Sequence, residues 1–279
     1  MKFITLNTHS LEEPGYADKK IAFAEVIKKE LPDILALQEV NQSVNAEPVS
    51  DETLKGFARC PEFHSPVRAD NHALALTQLL EKDGISYHWT WISAKLGYGK
   101  YDEGMAIFSK KPIAEVKQYL ISQTDDYQNW KTRKILGIRT VGSSDWFFTV
   151  HMGWWKDDEE PFSLQWTELQ EFFRQDGIDK DRIWLMGDFN SPCDVSGEGY
   201  QMVCDSGWLD SYVLAEQKDN GVTVEKEIDG WRGAEIKTMR LDYIFCNRKC
   251  QIKASEVICN GKRYPIVSDH YGVMISGIA

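Results

Sequence analysis

The chain has 279 residues, of which 42% are hydrophobic and 12% are aromatic, so it contains enough apolar material for a large packed core. Its 43 acidic and 32 basic residues leave a formal net charge of -11, which makes nucleic acid a disfavoured partner. We recognise no leader peptide and no run long enough to cross a membrane, so we expect a cytoplasmic protein without a membrane partner.

Short apolar runs predict strands, and helical spacing of apolar residues predicts helices. In chain order these are a strand at 3–6, a helix at 19–31, a strand at 34–37, a helix at 73–82, strands at 105–108, 135–138 and 146–150, a helix at 164–173, and strands at 183–186, 241–246 and 271–275.

No repeat, low-complexity tract or linker divides the chain, so we expect one domain over residues 1–279. The polar stretch 41–71 is typical of an irregular excursion within that domain. The six cysteines lack CxxC spacing, which indicates free thiols. Because strands outnumber helices, the pattern favours an α/β sandwich of two packed sheets with helices outside.

Polar side chains stand where several of the apolar runs end. In RIWLMGDFNS, the period of two along a strand places Asp188 and Asn190 on the same side of its end. Such residues commonly cap turns, but strand ends from distant parts of a chain can also converge at one edge of a sheet. The same feature occurs at Asn7, His9, Gln38, Glu39, His151, Asp242, Asp269 and His270.

Carboxylates gathered at one edge repel one another unless a cation or a histidine compensates their charge. Oxygen ligands from Asn7, Glu39 and Asp269, with no thiolate among them, suit a hard cation such as Mg²⁺ or Mn²⁺ better than zinc. Histidines then remain for proton transfer or for binding an anion. This combination fits hydrolysis of a phosphate ester by an activated water.

Four motifs, LQEV, EGMAIFSK, GDFN and SDH, occur in this order along the chain. Together they resemble the endonuclease/exonuclease/phosphatase superfamily, which includes DNase I-like nucleases, neutral sphingomyelinases and inositol-phosphate phosphatases. The resemblance runs from Asn7 to His270, nearly the whole chain. It implies a four-layered sandwich of two β-sheets between helices, with a metal-dependent site at one edge.

The resemblance also implies roles for single residues. Asn7 and Glu39 match the family's metal-binding asparagine and glutamate, and Asp269 with His270 matches its terminal Asp-His pair. His270 would be the general base, oriented by Asp242. A carboxylate on one ring nitrogen fixes the tautomer and raises the basicity of the other nitrogen.

Four further positions match the family. His151 matches a second histidine that contacts the phosphate or assists the leaving group, with Glu103 as its supporting carboxylate. Asp188 and Asn190 match residues that orient the water and hold the phosphate. At His9 some nucleases of the family carry aspartate, so the role of His9 stays open between a metal ligand and a supporting residue.

The segments GYGKYDEG, NWKTRK and HMGWWKDDEEPF resemble a bacterial subgroup described as maltose 6'-phosphate phosphatases. Trp154 and Trp155 follow His151 and offer faces for a sugar ring, although burial in the core is equally compatible with the pattern. Lys131 and Arg133 offer cations for a phosphate. The acidic run 157–160 would repel a nucleic-acid backbone if it borders the cleft.

The sequence therefore predicts a metal-dependent phosphomonoesterase that hydrolyses a sugar phosphate such as maltose 6'-phosphate, by in-line attack of a water that His270 activates. A phosphodiesterase of the neutral sphingomyelinase or nuclease type is the alternative, since these relatives share the site. A binding scaffold without activity is disfavoured because His270 and Glu39 are both present. The oligomeric state and the number of metal ions stay open.

Overall fold

The computed structural model describes residues 1–226, 228, 231 and 238–278, and these residues form two β-sheets with helices on their outer faces. The strands are β1 (Lys2–Asn7), β2 (Ile34–Gln38), β3 (Gln42–Ser43), β4 (His88–Gly97), β5 (Tyr101–Ser109), β6 (Ile113–Leu120), β7 (Lys134–Thr140), β8 (Trp146–His151), β9 (Ile183–Asp188), β10 (Leu209–Asp210), β11 (Gln217–Lys218), β12 (Asp242–Cys246), β13 (Ala254–Ile258) and β14 (Gly272–Ser276). The α-helices are α1 (Tyr16–Glu30), α2 (His72–Glu81), α3 (Phe162–Gln175), α4 (Gly199–Asp205) and α5 (Ser211–Leu214).

Both sheets are mixed. The first runs in the order β11, β13, β14, β1, β2 and β5, and β5 also pairs with β3 and β4. The second runs in the order β10, β12, β9, β8, β7 and β6. The pairs β1–β2 and β8–β9 are parallel, and most of the other pairs are antiparallel.

The two sheets pack face to face through large apolar side chains. The ring of Phe3 on β1 meets those of Phe147 on β8 and Trp184 on β9 edge-on, with centroid distances of 5.2 and 5.0 Å. Helices α1 and α2 cover the outer face of the first sheet, and α3 with α4 covers that of the second. The result is a four-layer α/β/β/α sandwich, which confirms the predicted fold class. None of the described helices combines the length and apolar character needed to cross a membrane.

Most of the predicted elements are present. Each of the eight predicted strands lies within an observed strand or overlaps one, and the three predicted helices correspond to α1, α2 and α3. Two long strands, β4 and β6, are additional. Strand β4 escaped prediction because polar residues interrupt its apolar pattern, among them Thr90, Ser93 and Lys95, although all three are buried. The stretch 41–71 is largely irregular, as expected.

The polar ends of the central strands meet at one edge of the sandwich. Asn7 ends β1 beside Gln38, which ends β2. In the other sheet, Asp188 ends β9 and lies between His151 at the end of β8 and Asp242 at the start of β12. Because the two sheets are stacked, these ends from distant parts of the sequence share one edge.

A buried amide joins the sheets directly below that edge. Gln38 is fully buried, and its Nε2 donates to Thr149 Oγ1 of β8 at 2.7 Å and to Thr5 Oγ1 of β1 at 3.1 Å. A buried amide is stable only when its hydrogen bonds are made, so these contacts restrict how one sheet can slide over the other.

Replacing Gln38 by alanine should lower the free energy of unfolding by about 2–4 kcal/mol, because it leaves a cavity and removes a partner of buried hydroxyls. The measurement is urea unfolding followed by tryptophan fluorescence. The exposed Gln251 gives the matched control, since Gln251→Ala should change the same free energy by less than about 0.5 kcal/mol. Equal effects of the two substitutions would contradict the inter-sheet role of Gln38.

Candidate active site

A cavity of about 670 Å³ opens at the shared edge of the two sheets. Its lining includes these residues singled out from the sequence: His9, Glu39, Glu103, Arg133, His151, Trp154, Asp188, Asn190, Asp269 and His270. Asn7 and Asp242 lie behind the lining, hydrogen-bonded to residues that form it. Lys131 and Trp155 are not part of the described lining.

The side chain of Asn7 connects the two halves of the site. Its Nδ2 donates to Glu39 Oε1 at 2.8 Å, next to the end of β2, and to Asp188 Oδ2 at 3.2 Å, at the end of β9. Asn7 is almost completely buried. One amide therefore positions a carboxylate from each sheet.

The local backbone conformation explains the residue types in the GDFN motif. Gly187 has a φ of 152°, and a Cβ atom there would lie 2.0 Å from Val150 O, so only glycine fits. Asp188 Oδ1 accepts from the backbone N–H of Asn190 at 2.8 Å. Asn190 and Glu39 both have positive φ, 45° and 50°, a strained conformation that is concentrated at functional sites.

The side-chain amide of Asn190 is oriented by hydrogen bonds to both its nitrogen and its oxygen. Its Nδ2 donates to Met152 O at 2.9 Å, and its Oδ1 accepts from Trp231 Nε1 at 3.0 Å. The structure shows that the indole of Trp231 helps to fix Asn190 at the cavity wall.

His270 forms the acid–imidazole pair that the sequence predicted. Its Nδ1 lies 2.9 Å from Asp242 Oδ2, and its Nε2 lies 3.8 Å from Asp188 Oδ2. Burial by itself would lower the pKa of His270, but the charges of Asp242 and Asp188 outweigh it, so the pKa is raised well above its usual value.

The pKa of His151 is shifted in the opposite direction. Burial first, and then the positive charges of Arg133, Lys95 and His270, lower the pKa of His151 well below its usual value, so this ring is neutral. Its Nε2 lies 3.7 Å from Asp188 Oδ2. We expected Glu103 to support His151, but the described ion-pair partner of Glu103 is Lys95, with Nζ and Oε1 3.0 Å apart.

His9 has both ring nitrogens engaged. Its Nδ1 lies 2.9 Å from Glu13 Oε1, and its Nε2 lies 3.0 Å from the hydroxyl of Tyr98. Burial opposes protonation, but Glu13, Glu39 and Asp269 together raise the pKa of His9 to about 9. The ring is thus engaged with supporting residues, and it also belongs to a group of side chains that could hold a metal ion.

The acidic side of the cavity has a donor set that fits a hard cation. Glu39 is recessed in the wall, and burial with the nearby carboxylates of Glu103 and Asp269 raises its pKa to about 7. Among the described residues, no Lys or Arg forms an ion pair with Glu39. A divalent cation bound here would compensate these charges, and the oxygens of Asn7, Glu39 and Asp269 are the ligands that such a cation prefers.

In the described ranges of the chain, two groups of side chains bring potential ligand atoms within 4.8 Å of one another, His9 with Glu13 and Asp269, and Asp188 with Asp242 and His270. Glu39 belongs to neither group and instead shares the amide of Asn7 with Asp188. The cavity thus has an acidic and histidine cluster that could hold a metal ion.

The expected cations and aromatic residues divide into lining and supporting positions. Lys131 Nζ is tied to Asp157 and Glu159, at 2.9 and 3.0 Å. Trp154 lines the cavity beside Trp130, with a centroid distance of 5.5 Å. The ring of Trp155 instead contacts Phe162 of α3, with a centroid distance of 6.3 Å, and packs against the core.

Several lining residues were not found from the sequence. Lys95 and Tyr98 belong to the lining, and Glu13 supports it through His9. The available signal for Lys95 was a charged residue inside the otherwise uncharged stretch WTWISAKLG. A lysine placed there must either reach solvent or find a partner.

Comparison with known proteins supports this architecture. A model described as the Endonuclease/Exonuclease/phosphatase family matches residues 4–270. Among solved structures, an endonuclease/exonuclease/phosphatase family protein from Leptotrichia buccalis C-1013-b is 30% identical with a TM-score of 0.85, and the match covers 100% of this chain and 99% of that one. No curated protein matches the chain.

Two more distant structures share the fold. A mannosyl-6-phosphatase from Bacteroides thetaiotaomicron VPI-5482 is 17% identical with a TM-score of 0.65, over 100% of this chain and 99% of that one. A 3' phosphatase from Neisseria, solved with a product DNA hairpin, is 20% identical with a TM-score of 0.62, over 99% of this chain and 98% of that one. At these identities the likeness concerns the fold alone.

Replacing Asp242 by asparagine should shift the titration of His270 to lower pH, because it removes the carboxylate that most strongly raises this pKa. NMR titration of the imidazole carbon protons, in the presence of EDTA, measures the shift. His72 is the internal control, since burial lowers its pKa to about 3 and its ring contacts Tyr16. An unchanged His270 titration would show that Asp242 does not control its charge.

Proposed function

This chain belongs to the endonuclease/exonuclease/phosphatase family of hydrolases, and on that premise we propose that it is a Mg²⁺-dependent phosphomonoesterase acting on a sugar phosphate such as maltose 6'-phosphate. One observation carries the proposal. The same cavity holds the His270–Asp242 pair, the carboxylate of Glu39 and the indole of Trp154. A phosphoryl group and a sugar ring both find chemically matched partners there.

In the proposed reaction, His270 in its neutral form takes a proton from a water molecule that Asp188 helps to position, and the water oxygen bonds to phosphorus in line. The bond between phosphorus and the sugar oxygen breaks at the same time, and the sugar leaves as its alcohol after taking a proton from solvent. Asp242 accepts a hydrogen bond from Nδ1 of His270 and so keeps the ring in the tautomer whose Nε2 is free to accept the proton.

The neutral His151 ring and the amide of Asn190 hold phosphoryl oxygens. Asn7, Glu39 and Asp269 would hold the Mg²⁺, for which Mn²⁺ could substitute. When bound, the ion supplies positive charge that neutralises the phosphoryl oxygens and offsets the carboxylate field around His270.

Three observations support a small, sugar-containing substrate. Trp130 and Trp154 present indole rings to the cavity, and the C–H faces of a sugar pack well on such rings. Asp157 also lines the cavity and disfavours a polyanionic chain. The Bacteroides neighbour is named a mannosyl-6-phosphatase, so the same fold can serve a sugar phosphate.

We also propose action in the cytoplasm. All six cysteines are free thiols, as expected from their spacing, and unpaired thiols of this kind are typical of a reducing compartment.

A screen of phosphorylated sugars and nucleotides with Mg²⁺ should show release of inorganic phosphate from a sugar monoester, and maltose 6'-phosphate is the first compound to assay. EDTA should abolish the release, because the acidic side of the cavity then lacks its cation. His270→Ala should reduce kcat by at least about 100-fold through loss of the base. Release that persists in EDTA, or no release from any sugar phosphate, would reject the proposal.

The alternative enzyme, a phosphodiesterase of the sphingomyelinase or nuclease type, is decided by the same assay. Sphingomyelin vesicles and plasmid DNA are included as substrates, at the same Mg²⁺ concentration. Cleavage of either one in preference to every monoester would replace the proposed activity with that of a diesterase.

Trp154→Ala should raise KM for the preferred sugar phosphate by about 5-fold, since an aromatic face contributes on the order of 1 kcal/mol to ring packing. The KM for glycerol phosphate, which has no ring, should stay unchanged. Trp155→Leu is the neighbouring control, because Trp155 packs against Phe162 and should affect stability alone. Equal increases in KM for both substrates would show that Trp154 does not contact the sugar.

A further inference from the structure

Arg133 is a buried cation that no carboxylate of the described residues contacts. It is 3% exposed, and it lines the cavity just before β7. Its Nη1 donates to the carbonyls of Trp130 at 2.8 Å and Thr132 at 3.2 Å. Its Nε is buried and has no acceptor, and among the described residues no carboxylate lies within ion-pair distance of its guanidinium.

A second buried cation, Lys95, contacts the same carbonyl oxygen as Arg133. Lys95 Nζ donates to Trp130 O at 3.0 Å, so one carbonyl oxygen accepts from both Lys95 and Arg133. Lys95 also pairs with Glu103 at 3.0 Å. Burial and the adjacent charge of Arg133 lower the pKa of Lys95. Within the part of the chain that the structure describes, these two positive charges therefore share one contacting carboxylate, that of Glu103, and this part of the wall has an excess positive charge.

An excess buried charge is unfavourable unless an anion compensates it. Arg133 also interacts electrostatically, across the cavity and without contact, with the carboxylates of Glu39, Asp188 and Asp157. His151 cannot supply the missing negative charge, because an imidazole is either neutral or positive, and burial, followed by Arg133 and Lys95, lowers its pKa. The space between the basic wall and the acidic wall is thus suited to an anionic group of the substrate.

We infer that Arg133, held beside Lys95 by the carbonyl of Trp130, selects a doubly charged phosphate, so that a monoester dianion is preferred over a diester monoanion. This inference rests on the proposed phosphatase function. A terminal phosphate carries close to two negative charges at neutral pH and keeps three free oxygens. Two N–H groups of the guanidinium can bind two of these oxygens. A diester carries one negative charge fewer than the monoester dianion, and it also has one free oxygen fewer.

A purely structural role for Arg133 makes a different prediction. Arg133 lies 5.7 Å from the centroid of the Trp154 ring and braces the loop at Trp130. If bracing were its whole contribution, removing the guanidinium would disturb the cavity for every substrate alike. Selectivity between two esters that differ in charge distinguishes the two roles.

The test compares p-nitrophenyl phosphate with bis(p-nitrophenyl) phosphate, which share a leaving group and differ in charge. Arg133→Met should lower kcat/KM for the monoester by about 10- to 100-fold, the usual effect of losing a hydrogen bond to a charged group. It should change kcat/KM for the diester by less than about 3-fold, since the diester lacks the second charge that Arg133 binds. The inhibition constant of inorganic phosphate should rise in parallel with the loss on the monoester.

Two further variants serve as controls. Arg133→Lys keeps the positive charge but loses the planar guanidinium, so it should restore part of the selectivity for the monoester over the diester. The same variant replaces Arg133→Met in the test if Arg133→Met folds poorly. Arg139→Met removes an arginine within β7, the strand that follows Arg133, where it pairs with Glu115, and should leave the hydrolysis of both esters unaffected.

If Arg133→Met slows both esters equally, Arg133 is a brace and the inference fails while the phosphatase function stands. If the wild-type protein cleaves the diester and no monoester, the proposed function itself fails.

Discussion

The amide of Asn7 is the contact on which the arrangement of the cavity depends. A single nitrogen donates to Glu39 at the end of one sheet and to Asp188 at the end of the other. It can reach both only if the two sheets keep their relative position. The buried amide of Gln38, bonded to Thr149 across the inter-sheet space, helps to hold that position. The geometry of the site is therefore a property of the sheet packing.

Charge is separated across the cavity, and this separation contributes to the pKa of each histidine. Asp242 and Asp188 raise the pKa of His270 against the effect of burial, whereas burial, and then Arg133 and Lys95, lower the pKa of His151. The pKa values of two imidazoles in one cavity are thus shifted in opposite directions. Such a division suits a reaction in which a proton moves on one side while negative oxygens are held on the other.

Much of the fold and part of the site could be predicted from local patterns. The central strands appear as apolar runs because they are buried on both faces, and α1 to α3 appear through their spacing of apolar residues. Strand β4 and its Lys95 were missed because their polar side chains are buried against partners distant in sequence. Trp154 and Trp155 are neighbours in sequence, yet one lines the cavity and the other packs on α3.

The sequence by itself determined which chemical groups are available and that they stand at strand ends, because strand periodicity and turn residues are local properties. Only the tertiary structure decided which groups meet. The contacts of Glu103 with Lys95, of Trp231 with Asn190 and of His9 with Tyr98 join residues far apart in the chain. Their distances follow from sheet order and packing, and the charge of each buried group follows from those distances, since electrostatic interactions depend on separation and on the exclusion of water.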